Sequence, residues 1–320
     1  MKKTVALDYT GITGDAHELL SNLSGVAANG PHLWTVSDEG RTFECLQQRG
    51  DGYALVRQFR LDDVFADLPG DDERGGAAEL DIESVDFADS TLWLCGSHCN
   101  VRKKPDKSDD GADRMSARIK SRPSRHFLAS IEIGGDGTSL SKGSLAPYIG
   151  AGAVRSVLAA DPYLAPFIDL PSKENGLDIE GLVINGDDVI LGLRGPVLDG
   201  IAVAVHLSLD SDLEVKTYRL SFLDLGGLAI RDLTRTSGGL LLIAGPVGEA
   251  DGPYRMYRWI PVVTDAIQRP DEIPSALGTG EKPEGICELT RDGISGRLVV
   301  YDSPRDSRIS GLVYTADWFA

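Results

Sequence analysis

The amino-acid sequence predicts an all-β protein, a single β-propeller domain over residues 1–320 with five blades, and six blades as the alternative. Three observations predict it. A short phrase recurs along the chain, each copy precedes a turn and a second apolar strand, and each unit then offers further strands of alternating or aliphatic character. Four antiparallel strands per repeat are typical of a propeller blade. A chain of 320 residues can hold such a ring as one domain.

The recurring phrase is an apolar residue or Pro, then Ser, Glu or Gly, then a small residue and an aliphatic one. Its copies are LSGVA at 23–27, IESVD at 82–86, IEGLV at 179–183, GGLAI at 226–230 and PEGIC at 283–287. The copies are roughly 46 to 59 residues apart, except for about 100 between the second and the third. The repeat predicts one blade for each copy.

Two insertions account for the longer spacing. Residues 100–125 are polar and charged and fall between the second and third strands of their blade, whereas residues 151–170 are predicted to form short helices before the third blade. The last unit lacks an outer strand, and an apolar strand at residues 2–9 precedes the first copy. We therefore expect the N-terminal strand to complete the last blade and close the ring.

The charge balance and the apolar pattern limit the possible partners. A net charge of −17 argues against nucleic acid or an anionic membrane surface, because both require a basic footprint. The N-terminal MKKTVALDYTGITG lacks a signal-peptide core, and no apolar run is long enough to span a bilayer. These features predict a cytoplasmic monomer whose four cysteines are reduced thiols.

Several motifs resemble one bacterial family, the domain-of-unknown-function family numbered 3616. They are LSGVA, DIESVDF with LWLCGSH, GLDIEGL, GLAIRDL, GPYRMYRW and KPEGI, and they extend over about residues 20–305. The resemblance implies a β-propeller near the phytase-like and esterase-like propeller group. It implies no biochemical activity, because the family has none that could be carried over.

The Ser, Glu or Gly position of each copy is expected to lie at one mouth of the central channel, where the innermost strands begin. Glu83, Glu180 and Glu284 would form a ring there, with Ser24 and Gly226 as their counterparts. Carboxylates at close range raise each other's pKa, so the ring requires a bound cation, protonation or a basic partner. Oxygen ligands suit Ca²⁺, which predicts a metal site at Ser24, Glu83, Glu180 and Glu284. This layout is similar to that of calcium-activated nucleotidases, which are five-bladed propellers with an axial Ca²⁺.

Two alternatives to the metal remain open at this stage. The glutamates could accept hydrogen bonds from the next blade and so clamp the ring. Arg194 and Arg231 could instead neutralise the glutamates, or they could hold a phosphate or carboxylate of a ligand together with Asp302. Arg231 is expected to point toward the channel because it lies within an innermost strand.

The same mouth should collect the loops that follow the second strands, which contain His98 and Asp38. We predict these two as catalytic residues that activate water. The insertion at residues 100–125 is basic in an acidic protein and is expected to overhang this mouth, which suits a small anionic molecule. The alternative is a solvated loop of mixed charge.

The sequence therefore predicts one of two functions. The first is a Ca²⁺-dependent hydrolase that acts on a phosphate or carboxylic ester at the channel mouth. The second is a non-catalytic propeller that binds a ligand or a protein, with a purely structural glutamate ring. The fold does not choose between them, because propellers serve both functions.

Overall fold

Strands make up most of the regular structure in the computed structural model, which describes residues 2–68, 78–103, 116–275, 277 and 280–320. The fold is all-β and propeller-like. Within these residues the α-helices are short: α1 (Ala16–Ser21), α2 (Leu61–Val64) and α3 (Val154–Ala159). In the part of the chain that is described, no helix is long and apolar enough to cross a membrane.

Strand β1 begins the chain at Lys2–Asp8 and is followed by α1. The first sheet then contains four consecutive strands: β2 (Leu23–Asn29), β3 (His32–Ser37), β4 (Thr42–Arg49) and β5 (Gly52–Arg60). Each strand pairs antiparallel with the next. The first copy of the recurring phrase thus forms the innermost strand, β2.

The second sheet is interrupted by a hairpin. Its strands and those of the hairpin are, in chain order, β6 (Ile82–Ala88), β7 (Thr91–Gly96), β8 (Asn100–Arg102), β9 (Ile119–Ser121), β10 (Leu128–Ile133) and β11 (Leu140–Leu145). The sheet order is β6, β7, β10, β11, and β8 pairs with β9 outside this sheet. The hairpin is the described part of the polar insertion, and it lies between the second and third strands, as predicted.

Helix α3 and a 3₁₀ turn at Ala165–Phe167 come before the third sheet, as the sequence predicts for residues 151–170. The third sheet contains β12 (Asp178–Asn185), β13 (Asp188–Gly195), β14 (Ala202–Leu209) and β15 (Val215–Leu223). The fourth contains β16 (Ala229–Thr236), β17 (Gly239–Gly245), β18 (Arg255–Trp259) and β19 (Asp271–Ile273). Both follow chain order from the innermost strand outward.

The last strands join the two ends of the chain. They are β20 (Lys282–Arg291), β21 (Ile294–Asp302), the two-residue β22 (Ile309–Ser310) and β23 (Val313–Phe319). Strand β1 pairs antiparallel with β23 along its whole length, from Lys2 opposite Phe319 to Asp8 opposite Val313. The N-terminal strand is therefore the outer strand of the last sheet, as predicted. A short parallel pairing of β1 with β5 links this sheet to the first.

The innermost strands form a closed ring. In the described residues β2 contacts β6, β6 contacts β12, β12 contacts β16, β16 contacts β20, and β20 contacts β2. Glycine permits this close approach at the axis. A Cβ atom on Gly25 would lie 3.1 Å from the backbone nitrogen of Val85, and one on Gly285 would lie 3.0 Å from the Cα of Gly25. The small residue of the repeated phrase is thus required by packing.

The hydrophobic core lies between neighbouring sheets. Trp34 of the first sheet is in one cluster with Leu92 and Leu94 of the second, and Ala204 of the third sheet is in one cluster with Trp259 of the fourth. These side chains are buried. The apolar faces of adjacent sheets thus hold the ring together, while the polar residues at its axis lie at the strand ends.

Candidate functional site

One residue near the start of each innermost strand is bulged out of the pairing with the second strand. The bulged residues are Ser24, Glu83, Glu180, Arg231 and Glu284. A β-bulge re-aims a side chain relative to the ladder. Because the bulge recurs at the same position of each innermost strand, these residues occupy equivalent places around one mouth of the channel.

The prediction that Gly226 is the fourth counterpart is wrong. Gly226 and Gly227 have φ angles of 68° and 85° and lie before β16 begins, in the left-handed region that favours glycine. The bulged residue is Arg231. The phrase at residues 226–230 matches the repeat in composition, but the turn uses its glycines for backbone conformation.

Arg231 lies between two of the glutamates and is only 2% exposed. Its Nε is 2.8 Å from Oε2 of Glu180, and its Nη2 contacts Oε1 of Glu284. The first pair is not aligned as a hydrogen bond, so that contact is ionic. A buried guanidinium requires such anionic partners, because the loss of hydration is otherwise uncompensated. Arg231 thus points to the channel axis, and the nearest acids are those of the ring, as the sequence predicts.

Arg194 supplies a second cation to the ring. Its Nη1 lies 2.7 Å from Oε1 of Glu180 and 3.8 Å from Oδ2 of Asp178, while its Nε donates to the carbonyl oxygen of Val247 at 2.7 Å. Glu180 therefore has an arginine at each carboxylate oxygen. Among the alternatives that the sequence left open, the contacts of Glu180 and Glu284 correspond to neutralisation of their negative charge by arginine.

The set predicted to bind Ca²⁺ is consequently divided. Glu180 and Glu284 both have Arg231 as an ion-pair partner. Ser24 donates its hydroxyl hydrogen to the carbonyl oxygen of Ile82 at 2.6 Å, so it links β2 to β6. Glu83 alone of the four has neither an ion pair nor a side-chain hydrogen bond to any other described residue.

Glu83 instead lies in a cluster of three carboxylates with Asp38 and Asp81. One carboxylate oxygen from each lies within 4.8 Å of the other two. Asp38 follows β3 directly, and Asp81 precedes β6 with a φ angle of 54°. The prediction included Asp38 as a catalytic residue and Glu83 as a metal ligand, but not Asp81. We call these three residues the carboxylate cluster.

The carboxylate cluster is short of positive charge. Burial, and then the neighbouring Asp81 and Asp302, raise the pKa of Asp38 to about 8. Burial and Asp81 likewise raise the pKa of Glu83 well above its usual range. Burial raises the pKa of Asp81 to about 6. Arg125 opposes this rise, because its Nη1 lies 2.8 Å from Oδ2 of Asp81. One oxygen of Asp38, Oδ1, is buried with no hydrogen-bond partner within the described residues.

Two other acidic residues adjoin the carboxylate cluster. Burial and Glu180 raise the pKa of Asp178 to about 8, against the effect of Arg194. Asp302 lies on the other side, with the Nζ of Lys282 3.3 Å from its Oδ2. Of the residues predicted to bind a ligand, Asp302 and Arg194 thus lie around the same mouth, and each has an ion-pair partner.

The position of His98 does not fit the predicted role as a base. Its side chain is buried, its Nδ1 lies 2.9 Å from the carbonyl oxygen of Gly96, and its ring stacks on His126 at 5.9 Å. Burial and His126 lower its pKa to about 3. Among the residues that the structure describes, the contacts of this ring are a backbone carbonyl and a second histidine, so no hydroxyl or carboxylate is positioned to make it a base.

The basic insertion lies partly outside the described residues, which include neither Lys104, Lys107 nor Arg114. Three of its described arginines are paired with acids. Arg102 contacts Glu174, Arg122 contacts Glu79, and Arg125 contacts both Glu79 and Asp81. The described part of the insertion is therefore anchored to the segment before β6 and to the segment before the third sheet.

The predicted clamp between blades is present, but aspartates form it. Asp86 accepts the backbone N–H of Ile184 at 2.8 Å, and Asp232 accepts the backbone N–H of Ile286 at 2.7 Å. In each case an innermost strand is bound to the next one around the ring. The sequence signal for this clamp was the aspartate in IESVD and in AIRDL, because an acid inside a buried strand requires a hydrogen-bond donor.

Several solved structures of low sequence identity are similar to this chain. No curated protein sequence matches the chain. A glutaminyl cyclase from Myxococcus xanthus is a similar solved structure, with 10% identity, 98% of both chains covered and a TM-score of 0.44. An aldose sugar dehydrogenase from Streptomyces coelicolor has 9% identity over 99% of this chain and 97% of that one, with a TM-score of 0.40. An exo-β-1,3-galactanase from Phanerochaete chrysosporium has 13% identity, with 99% of this chain and 64% of that chain covered and a TM-score of 0.48.

A family model covers most of the chain. The model described as protein of unknown function DUF3616 matches residues 22–315. The matched region contains the bulged residues and the whole carboxylate cluster, and it agrees with the resemblance of the repeated motifs. The chain belongs to the DUF3616 family of proteins of unknown function.

Proposed function

We propose that the protein is a five-bladed propeller that binds a divalent cation of the Ca²⁺ type at the carboxylate cluster. The spacing of the cluster carries the proposal, because three carboxylate oxygens within 4.8 Å of one another match the separation of oxygens around one ion. The orphaned Oδ1 of Asp38 is an oxygen that such an ion would satisfy.

The donor atoms favour Ca²⁺ over softer metals. The cluster offers oxygen only, and a neighbouring sulfur, that of Cys99, lies 3.7 Å from Oδ2 of Asp81. Burial raises the pKa of the Cys99 thiol to about 12, so the sulfur keeps its proton and is a poor ligand. Mg²⁺ would have to fill most of its shell with water, whereas Ca²⁺ accepts irregular sets of carboxylates.

Protons compete with the ion for this site. Since the pKa of Asp38 is about 8 and that of Asp81 about 6, the cluster retains protons at neutral pH when no cation is bound. A bound Ca²⁺ displaces them, so its affinity increases as the pH rises from about 6 to about 8.

The surroundings of the cluster suit an anionic ester. Arg194 and Lys282 lie around the same mouth and can contact a phosphate or a carboxylate, and Ca²⁺ can polarise the ester bond. Asp178, with a pKa of about 8, is a carboxylate that can accept a proton near neutral pH. The chemistry that we propose is therefore hydrolysis of a phosphate or carboxylic ester.

A non-catalytic binding function is the second candidate. The buried contact of Arg231 with Glu180 and Glu284 favours it, because that ion-pair group fills the axis and needs no ligand. In this case the mouth would bind Ca²⁺ and an anion without cleaving it.

The first test is thermal unfolding with about 1 mM Ca²⁺ or with EDTA, for the wild type and for Glu83→Gln. At about 100 times its Kd, the ion adds about 2.7 kcal/mol to the free energy of unfolding, which raises the Tm by roughly 5 °C. Glu83→Gln should lose this shift. Glu288→Gln, on β20 but outside the cluster, is the matched control and should keep it.

A wild-type Tm that is equal in Ca²⁺ and in EDTA would contradict the proposed ion site. If the shift is present, a panel of phosphate and carboxylic esters separates the two candidate functions. The hydrolase requires turnover that EDTA and Glu83→Gln both abolish, whereas the binding protein gives none.

A further inference from the structure

Three side chains on the third sheet form a hydrogen-bonded chain away from the channel mouth. Nε2 of His206 lies 2.9 Å from Oγ of Ser221, and Nδ1 of His206 lies 3.3 Å from Oδ2 of Asp188. The strand register explains the meeting. His206 on β14 is opposite Ile190 and Arg219, and side chains two residues apart on a strand share a face. Asp188 on β13 and Ser221 on β15 therefore face His206.

The order of groups is hydroxyl, imidazole, carboxylate, which is the order that activates a serine nucleophile. The carboxylate of Asp188 favours the His206 tautomer with a proton on Nδ1, which leaves Nε2 free to accept the Ser221 proton. Arg219 holds Asp188 in place, with its Nη2 2.8 Å from Oδ2. Burial and Arg219 lower the pKa of His206 to about 4, so the ring is neutral at pH 7.

An amide donor lies beside the serine. Nε2 of Gln268 donates to Oγ of Ser221 at 3.2 Å. The backbone of Gln268 is anchored to the end of β15, because its N–H donates to Phe222 at 2.8 Å and its carbonyl accepts from Asp224 at 2.9 Å. The amide can therefore stay in place and stabilise an oxyanion that forms next to Ser221.

The segment at residues 260–267 lies beside this group and follows Trp259, whose ring packs edge-on against that of His206 at 5.7 Å. The Nε2 of Gln268 donates both to Oγ of Ser221 and to the carbonyl oxygen of Val262. The segment therefore passes next to the serine. Ser221 is 0% exposed and His206 is 1% exposed. Within the described residues, the hydrogen bonds of this segment are internal or go to the Gln268 side chain.

The segment is also unusually apolar for a surface loop. Four of its aliphatic side chains are between 50% and 84% exposed: Ile260, Val262, Val263 and Ile267. A group of exposed aliphatic residues in one short segment marks a surface that binds apolar material. Few hydrogen bonds hold the segment down, so contact with an apolar surface can lift it.

We propose that Ser221, His206 and Asp188 are a second, hydrolytic centre, for carboxylic esters with an apolar acyl chain, which opens when segment 260–267 binds that apolar material. Ser221 Oγ bonds to the ester carbonyl carbon and its proton passes to Nε2 of His206. The bond from that carbon to the alcohol oxygen breaks, and the alcohol leaves with the proton. Water then attacks the acyl-serine, gives a proton to His206, and releases the carboxylic acid as Ser221 regains its hydrogen. Asp188 is the positioning residue.

The test is covalent labelling of the full-length protein with an alkyl fluorophosphonate, in buffer and with micelles of a short-chain phosphatidylcholine. Attack by Ser221 forms an O–P bond and expels fluoride. We expect a single adduct that peptide mapping places on Ser221, at a rate at least tenfold higher with micelles. EDTA should not change it, because no metal takes part, so this outcome is independent of the proposed Ca²⁺ site.

Variants separate the centre from a structural role. Ser221→Ala should abolish the adduct, and Thr217→Ala, on the same face of β15, should leave it unchanged. Val263→Asp should reduce the increase caused by micelles. Absence of an adduct on Ser221 in wild-type protein that melts cooperatively in both conditions would overturn the proposal, and so would equal labelling of Ser221→Ala.

Discussion

Asp38 binds its proton more tightly in the folded chain than in the unfolded chain. Its pKa rises from 3.8 to about 8, chiefly through burial and then through the neighbouring carboxylates. Between these values the folded state keeps a proton that the unfolded state has released. The free energy of unfolding therefore falls as the pH rises from about 4 to about 8.

Replacement of Asp38 by Asn removes this contribution. In EDTA, we expect the free energy of unfolding of Asp38→Asn to fall less between about pH 5 and about pH 8 than that of the wild type, by roughly 1 to 3 kcal/mol. Urea unfolding at both pH values measures it. Asp187→Asn, at an exposed turn, is the control and should follow the wild type.

An Asp38→Asn protein that loses as much stability with pH as the wild type would show that the cluster does not retain the proton.

The sequence predicted Asp38 and Glu83 at the mouth because their positions at the ends of predicted strands place them there. Asp81 could not be found in this way. It lies in an irregular connection before β6, with a φ angle of 54°, and only the fold brings its carboxylate to the other two.

At the scale of the strands, aspartate side chains bind one innermost strand to the next. Sheets of a ring share no backbone ladder at the axis, so some N–H groups there need a side-chain acceptor. Asp232 of β16 supplies one to Ile286 of β20. Loss of that acceptor leaves a buried N–H unpaired.

Asp232→Ala should therefore weaken the contact between β16 and β20. We expect a loss of about 1 to 3 kcal/mol in the free energy of unfolding and faster hydrogen exchange at the Ile286 amide, measured by NMR or mass spectrometry. The Ile184 amide, whose N–H donates to Asp86, is the internal control, and its exchange should not change. Asp232→Asn keeps an acceptor oxygen and should have a smaller effect. Unchanged exchange at Ile286 in Asp232→Ala would contradict this function of the aspartate.

The strands themselves could be predicted well, because alternation and repeats are local in sequence. The fourth copy could not be aligned, since Gly226 and Gly227 match the phrase but form the turn before β16. The bulge at Arg231 depends on pairing with β17, which the sequence alone does not reveal.

For the molecule as a whole, β1 closes the ring by pairing with β23, so the two ends of the chain stabilise each other. Val5 and Leu7 of β1 are fully buried. The burial of two such side chains contributes roughly 3 to 6 kcal/mol. The closing strand could be predicted because the last repeat was one strand short.

Deletion of residues 2–8 should lower the free energy of unfolding by roughly 3 to 6 kcal/mol and expose the edge of β23. Urea unfolding and light scattering measure both effects. A synthetic peptide of residues 2–8 should restore part of the lost stability, and a scrambled peptide should not. A truncated protein as stable as the full chain would show that β1 is not needed for closure.

Arg231 has a further consequence, for the divergence of the repeats. If the repeats arose by duplication, an arginine at this position is tolerated only where both flanking copies supply an acid, as Glu180 and Glu284 do. Once it is present, the two glutamates cannot both be lost, because the buried guanidinium would then have no anionic partner. Three codons far apart in the gene are thereby constrained to evolve as one.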